Sequence, residues 1–191
     1  MKAAYTRQSV ARAYQAHGNI KAVCAETGCP PYVAFVWLKK SGALKVDDKS
    51  IYGSNSCRMG GLAEREFQRL VPNAMNANEH IRQGCPSFDF DISGTTVDVK
   101  YSSIRDSTGG WLFKTAIHKR LRPDYYVSFF ATHKSGLLSD GYRCFVFPHE
   151  LIADRNQVFL RPDDKQSHWL DFEIAPGDLA AFFKESIACL N

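Results

Sequence analysis

Asp89, Asp91, Asp98 and Lys100 all fall within the stretch SFDFDISGTTVDVKYS. Ser93-Gly94 is a two-residue reversal signal between two alternating runs. With those two residues as the loop, Ile92 faces Thr95, Asp91 faces Thr96, Phe90 faces Val97 and Asp89 faces Asp98. Strand period two sends Phe88, Phe90, Ile92, Val97 and Val99 to one side, and Asp89, Asp91, Asp98 and Lys100 to the other. Two carboxylates are then opposed with Cβ atoms about 5 Å apart, which is destabilising unless something offsets it. Lys100 can do so as a salt-bridge partner, solvent can do so by screening, and a divalent cation can do so by binding both acids. Hard cations such as Mg²⁺ prefer carboxylate oxygens and keep several waters. One such water can act as a nucleophile. Lys100 is placed to orient it, or to stabilise negative charge developing on a phosphate.

These side chains need a scaffold, and the pattern after residue 57 supplies one. GLAEREFQRLV (61–71) carries Ala63, Phe67, Leu70 and Val71 at helical spacing. Runs at 88–92, 95–102, 110–117, 124–132 and 142–148 have strand character. Pro176-Gly177-Asp178 precedes a terminal helix with Leu179, Phe182, Phe183, Ile187 and Leu190 on one stripe and Asp178 as N-cap. The expected fold class is α/β (α+β): a mixed β-sheet flanked by helices.

The order of these elements resembles the PD-(D/E)XK nuclease superfamily, across about residues 58–150. Asp89 matches the hairpin acid, Asp98-Val99-Lys100 matches the D/E-x-K triplet, and Gly61-Leu62-Ala63-Glu64 matches the upstream helical pattern. Trp111-Leu112-Phe113, Asp124-Tyr125-Tyr126-Val127 and Cys144-Phe145-Val146-Phe147-Pro148 match the strands that follow. Pro86 stands three residues before Asp89, so the family's proline and aspartate are not adjacent, and Asp91 remains an alternative to Asp89. The resemblance implies a restriction-endonuclease-like fold and a Mg²⁺-dependent endodeoxyribonuclease, with Mn²⁺ as a substitute. Glu64, Asp89 and Asp98, with Asp91 in reserve, are the implied metal ligands, and Lys100 the implied catalytic lysine. Glu64 lies at the border of the helix's buried face, whereas Glu66 lies further round toward solvent.

Residues 1–45 carry seven cations and one anion, a net charge of +6, while the remaining residues sum to −2. A basic head on a nearly neutral body fits contact with nucleic acid. Three short helices are expected there: one capped by Thr6 or Ser9 and ending at His17, a second capped by Asn19, and a third opening at Pro30-Pro31. Gly28 suits the sharp turn between the last two. VCAETGCPPYVAFVWLKK resembles a helix-turn-helix, with Cys24 as the small residue, Gly28 at the turn, and Ala34 and Trp37 packing the second helix. That resemblance implies a helix from Pro31 to Lys40 lying in a major groove. Arg7, Arg12, Lys39 and Lys40 are the phosphate contacts it implies, with Tyr32 among the DNA-binding side chains. Tyr32, Val33 and Phe35 are less polar than base-reading residues usually are. The alternative is a three-helix knob that docks on the body or a partner.

Lys114, Lys119 and Arg120 belong to a second basic stretch, suited either to a phosphate backbone or to a solvated loop. Residues 46–57 are expected to link a head at 1–45 to a nuclease-like domain at 58–191. The six cysteines include no C-x-x-C and no zinc spacing, so they are expected to be reduced thiols in a cytoplasm. No apolar run suits a membrane span or a signal peptide. The combined expectation is an endonuclease acting on double-stranded DNA as a homodimer, since two cuts need two sites. A non-catalytic DNA-binding regulator on the same fold is the alternative, and RNA or branched DNA remains open as substrate.

Overall fold

The computed structural model describes residues 5–45, 48, 51–77, 88–115 and 122–190. They fall into two compact units, the first ending at Leu62 and the second beginning at Ala63.

The first unit opens with α1 (Arg7–His17), α2 (Ile20–Thr27) and α3 (Pro31–Ser41). Thr6 and Ser9 form a reciprocal capping box on α1, and the Asn19 side chain accepts the Ala22 N–H at 2.8 Å on α2. Pro31 occupies the first turn of α3, where its missing N–H costs nothing. Gly28 takes φ +68° between α2 and α3, a conformation costly for any residue with a Cβ. Val10, Ala13, Tyr14, Ile20, Val23, Ala34, Leu38 and Leu44 close the core.

Asp48, within the stretch expected to be a linker, is 2% exposed. Its carboxylate accepts the Tyr14 hydroxyl at 2.6 Å and the Ile20 N–H at 3.2 Å, so it serves an orphan donor at the start of α2. Tyr14 in turn accepts the Lys45 N–H at 2.9 Å. Asp48→Ala is expected to lower the stability of this unit by roughly 2 kcal/mol, because it removes the carboxylate that accepts the buried Ile20 N–H and the Tyr14 hydroxyl. Chemical denaturation followed by tryptophan fluorescence (Trp37 is in this unit) measures it.

Helix α4 spans Asn55–Leu70 and begins earlier than the expected start at residue 61. Gly60 and Gly61 suggest a boundary, yet a mid-helix glycine costs only about 1 kcal/mol and packing overrides it.

The second unit is built on six strands: β1 (Met75–Asn76), β2 (Phe90–Ile92), β3 (Thr95–Ser103), β5 (Tyr125–Ala131), β6 (Tyr142–Pro148) and β8 (Glu173–Ile174). They lie side by side in that order. All pairings are antiparallel except β3 with β5, which runs parallel from Val97↔Tyr125 to Ser103↔Ala131. The chain between those two strands contributes β4 (Trp111–Lys114), which pairs with β7 (Gln157–Leu160) in a separate ribbon. Helices α5 (His149–Ile152) and α6 (Leu179–Leu190) also belong to the unit. The strands at 75–76, 157–160 and 173–174 are too short to announce themselves by alternation.

One core unites Phe90, Ile92, Val97, Val99, Val127 and Phe129 with Ala63 and Phe67 of α4 and Leu179 and Phe183 of α6. The other unites Tyr126, Phe130, Phe145 and Phe147 with Trp111 and Phe113 of the ribbon. Trp111 stacks on Phe130 at 5.2 Å and donates its indole N–H to the Ala131 carbonyl at 2.7 Å. The result is a mixed sheet flanked by helices, as expected. Among the described residues, no helix is long and apolar enough to cross a membrane.

Candidate active site

The reversal at Ser93-Gly94 forms with Phe90↔Val97, Asp91↔Thr96 and Ile92↔Thr95 in register. Ser93 and Gly94 both take positive φ, +52° and +91°, the geometry of a two-residue hairpin that matches strand twist. Asp91 is used inside this turn, where its Oδ1 accepts the Gly94 N–H at 2.9 Å.

One residue beyond Phe90 the ladder changes. The Asp89 N–H donates to the Val97 carbonyl at 2.8 Å, although Val97 is already the partner of Phe90. Two residues therefore oppose one, which is a β-bulge. Asp89 does not face Asp98 in an unbroken ladder, as simple alternation predicts. Its side chain replaces the lost main-chain bond: Oδ2 accepts the Val99 N–H at 2.9 Å. Bulges re-aim a side chain, and this one brings the Asp89 carboxyl under the influence of both Glu64 and Asp98.

Burial, then the Glu64 charge, then the Asp98 charge hold the Asp89 carboxyl well above the usual carboxylate range. Lys100 and the Val99 N–H act in the opposite direction and do not cancel the shift. Glu64 and Asp98 are themselves buried, at 9% and 4% exposure. Lys100 Nζ lies 2.7 Å from Asp98 Oδ2. Burial pulls the Lys100 ammonium down, but Asp98, by charge and hydrogen bond, and the Asp89 charge raise it overall. Lys100 thus stays cationic at neutral pH.

The acid further along α4 has another role. Glu66 is half-buried rather than a solvated surface charge: it binds Arg69 through Nε at 2.9 Å and Nη2 at 2.7 Å, and accepts the Tyr142 hydroxyl at 2.5 Å. These contacts tie α4 to β6, with Arg69 the main cause of a lowered Glu66 carboxyl.

The chain's alternation did not single out three residues that adjoin the Asp98–Lys100 pair through β5. Tyr126 is the register partner of Asp98, and Lys100 Nζ stands 5.9 Å from its ring. Ser128, the partner of Lys100, is fully buried, and its hydroxyl has no hydrogen-bond partner among the described residues. The His149 ring lies 6.1 Å from Tyr126, and its Nε2 is 3.3 Å from Arg122 Nη1. A guanidinium only donates, so Nε2 is the acceptor of this contact. A parallel strand pairing and a distant helix start create this neighbourhood, and no local motif encodes either.

The basic residues are placed as follows. Arg12, Lys39, Lys40 and Lys114 are exposed. The Arg7 guanidinium lies 5.7 Å from the Trp37 ring, and Tyr32 is 72% exposed. Lys39 Nζ meets the Cys57 sulfur at 3.1 Å. Lys119 and Arg120 lie outside the described residues. Among the described cysteines, Cys24, Cys29, Cys57 and Cys144 are free thiols.

The donor chemistry suits a hard divalent cation: carboxylate oxygens with like-charge repulsion at Asp89. No three His, Cys, Asp or Glu side chains among the described residues already stand at metal-holding spacing. Mg²⁺ does not require this, since it is commonly held by one or two carboxylates with waters and substrate phosphate. The arrangement can therefore accept a cation beside a phosphate, with a fixed ammonium at its edge.

No family model matches the chain, and no curated protein matches it. Among solved structures, the chain is similar to a bacterial homing endonuclease, I-Ssp6803I, with 18% identity and a TM-score of 0.47, over 70% of this chain and 99% of that one.

Proposed function

We propose that the protein is a metal-dependent DNA endonuclease that hydrolyses phosphodiester bonds, with Mg²⁺ as cofactor and Mn²⁺ able to replace it. The observation that carries this reading is the like-charge influence of Glu64 and Asp98 on the half-buried Asp89, beside the Asp98–Lys100 ion pair. In this reading Glu64, Asp89 and Asp98 hold the cation. When bound, it supplies Lewis acidity toward a phosphoryl oxygen and lowers the pKa of a water. Lys100, kept charged by Asp98, stabilises negative charge that develops on the phosphate and orients the attacking water. The Val99 N–H fixes the Asp89 carboxylate, so its free energy of ordering is met before substrate arrives. Lys114 and Arg122, with Lys119 and Arg120, bind the flanking backbone.

The head is read as a helix-turn-helix that supplies affinity for double-stranded DNA through Arg7, Arg12, Tyr32, Lys39 and Lys40. A twofold pair of copies would cut both strands. The test is nicking of supercoiled DNA in Mg²⁺ or Mn²⁺ by the intact chain, by Asp98→Ala and by Lys100→Ala. Both variants are expected to lose cutting by at least about a hundredfold. Equal cutting by all three removes the assignment.

A non-catalytic DNA-binding regulator is the second reading, favoured by the basic head, whose +6 charge over residues 1–45 suits DNA contact without any catalytic site. Calorimetric titration with Mg²⁺ separates the two. No divalent binding together with intact DNA binding supports the regulator.

A further inference from the structure

Helix α3 buries Ala34 and Leu38 and turns Tyr32, Val36, Lys39 and Lys40 outward. Tyr32 and Val36, one helical turn apart, are 72% and 43% exposed. Together they form one largely apolar spot on the helix expected to enter a groove. The sequence PYVAFVWLKKS has no Arg, Asn, Gln, Asp or Glu, so it lacks most of the side chains that pair with the edges of guanine, adenine or cytosine. Its two lysines lie in the last turn, whereas base contacts come from the N-terminal part of such a helix. Apart from the Tyr32 hydroxyl, the route of direct reading left to this face is apolar contact with the C5-methyl of thymine.

Charge argues for DNA over a second copy of the chain. The head carries +6 within residues 1–45, and its one acid there, Glu26, pairs with His17 at 2.5 Å. A twofold contact through α3 would bring two strongly basic heads together, with no acid on the helix to meet Lys39 and Lys40 of the copy.

We propose that Tyr32 and Val36 form a thymine-reading surface, seating C5-methyl groups of A·T-containing duplex DNA while Lys39 and Lys40 hold flanking phosphates. This rests on the head being DNA-binding, as proposed above, and names what it recognises. The probe is fluorescence anisotropy with the full chain in EDTA, so that no strand is cut. It uses alternating dA·dT duplexes, the same duplexes with deoxyuridine for thymidine, and dG·dC duplexes with and without 5-methylcytosine. Loss of the thymine methyls is expected to weaken binding about tenfold, as burial of two methyl groups implies. Methylating cytosine should strengthen the dG·dC complex. Val36→Ser should reduce the thymine-to-uracil ratio to about threefold, the share of the methyl seated by Tyr32, while leaving the salt dependence unchanged. The uracil comparison needs no variant, so it holds whatever Val36→Ser does to folding. Equal affinity for the thymine and uracil duplexes overturns the proposal and leaves the head's DNA binding standing. Absence of binding to every duplex removes both. Self-association in sedimentation that Val36→Ser abolishes assigns the face to a second copy and also overturns the proposal.

Discussion

Asp89→Asn is expected to raise the stability of the protein and, in the same variant, to lower DNA cutting by at least about a hundredfold. The two effects have one cause. Burial and the charges of Glu64 and Asp98 hold the Asp89 carboxyl well above its ordinary range. Ionising it in the folded chain therefore costs stability. Below the ordinary carboxylate value of about 4, both folded and unfolded chains keep the proton and the cost is absent. The cost grows as pH rises from there through the raised folded value, and is complete above it. Asparagine removes the charge yet keeps an oxygen for the Val99 N–H. Thermal unfolding at pH 7 without divalent cation should show a melting temperature about 2–4 °C higher, the shift that roughly 1 kcal/mol gives a chain of this size. The gain should vanish at a pH below about 4. Added Mg²⁺ should stabilise the intact chain and leave the variant unmoved. A variant less stable than the parent at pH 7 would show that the acids are not in conflict.

The second large effect belongs to Lys100→Met, expected to destabilise the fold by about 3 kcal/mol while also removing cutting. The Lys100 and Asp98 side chains are 24% and 6% exposed, and their charged atoms meet at 2.7 Å. Removing one partner leaves the other as an uncompensated buried charge. The Asp98 and Asp89 charges raise the Lys100 pKa against the pull of burial. Its contribution is therefore complete below the ordinary lysine value and is lost only as pH rises through the still higher folded value. The double variant Lys100→Met with Asp98→Asn should recover most of the loss, because no lone charge remains. Denaturant midpoints of the two single variants and the double give the coupling directly. Additive effects would mean that the pair is solvated and contributes little.

These two predictions depend on features of different origin. The hairpin was legible from Ser93-Gly94 and the alternation around it, because a two-residue turn and its register are local. The head was equally legible: Thr6, Asn19, Gly28 and Pro31 each satisfy or permit a backbone group within a few residues of themselves. Neither signal foretold that Asp48 would be buried beside Tyr14 and Ile20, since a carboxylate's capping of a helix start from 28 residues away leaves no local pattern. The same holds for Glu66, whose Tyr142 partner is 76 positions on.

Strand alternation, turn residues and helix caps settle which residues are strand, turn or helix, because each depends on neighbours in the chain. They also put Asp98 and Lys100 on one face of β3. Three-dimensional packing supplied the remainder: the parallel docking of β3 on β5 that sets Tyr126 and Ser128 beside Asp98 and Lys100, the bulge that turns Asp89 out of the ladder, and the approach of Glu64 from α4. Those depend on which distant surfaces bury one another best, and burial is a property of the assembled chain.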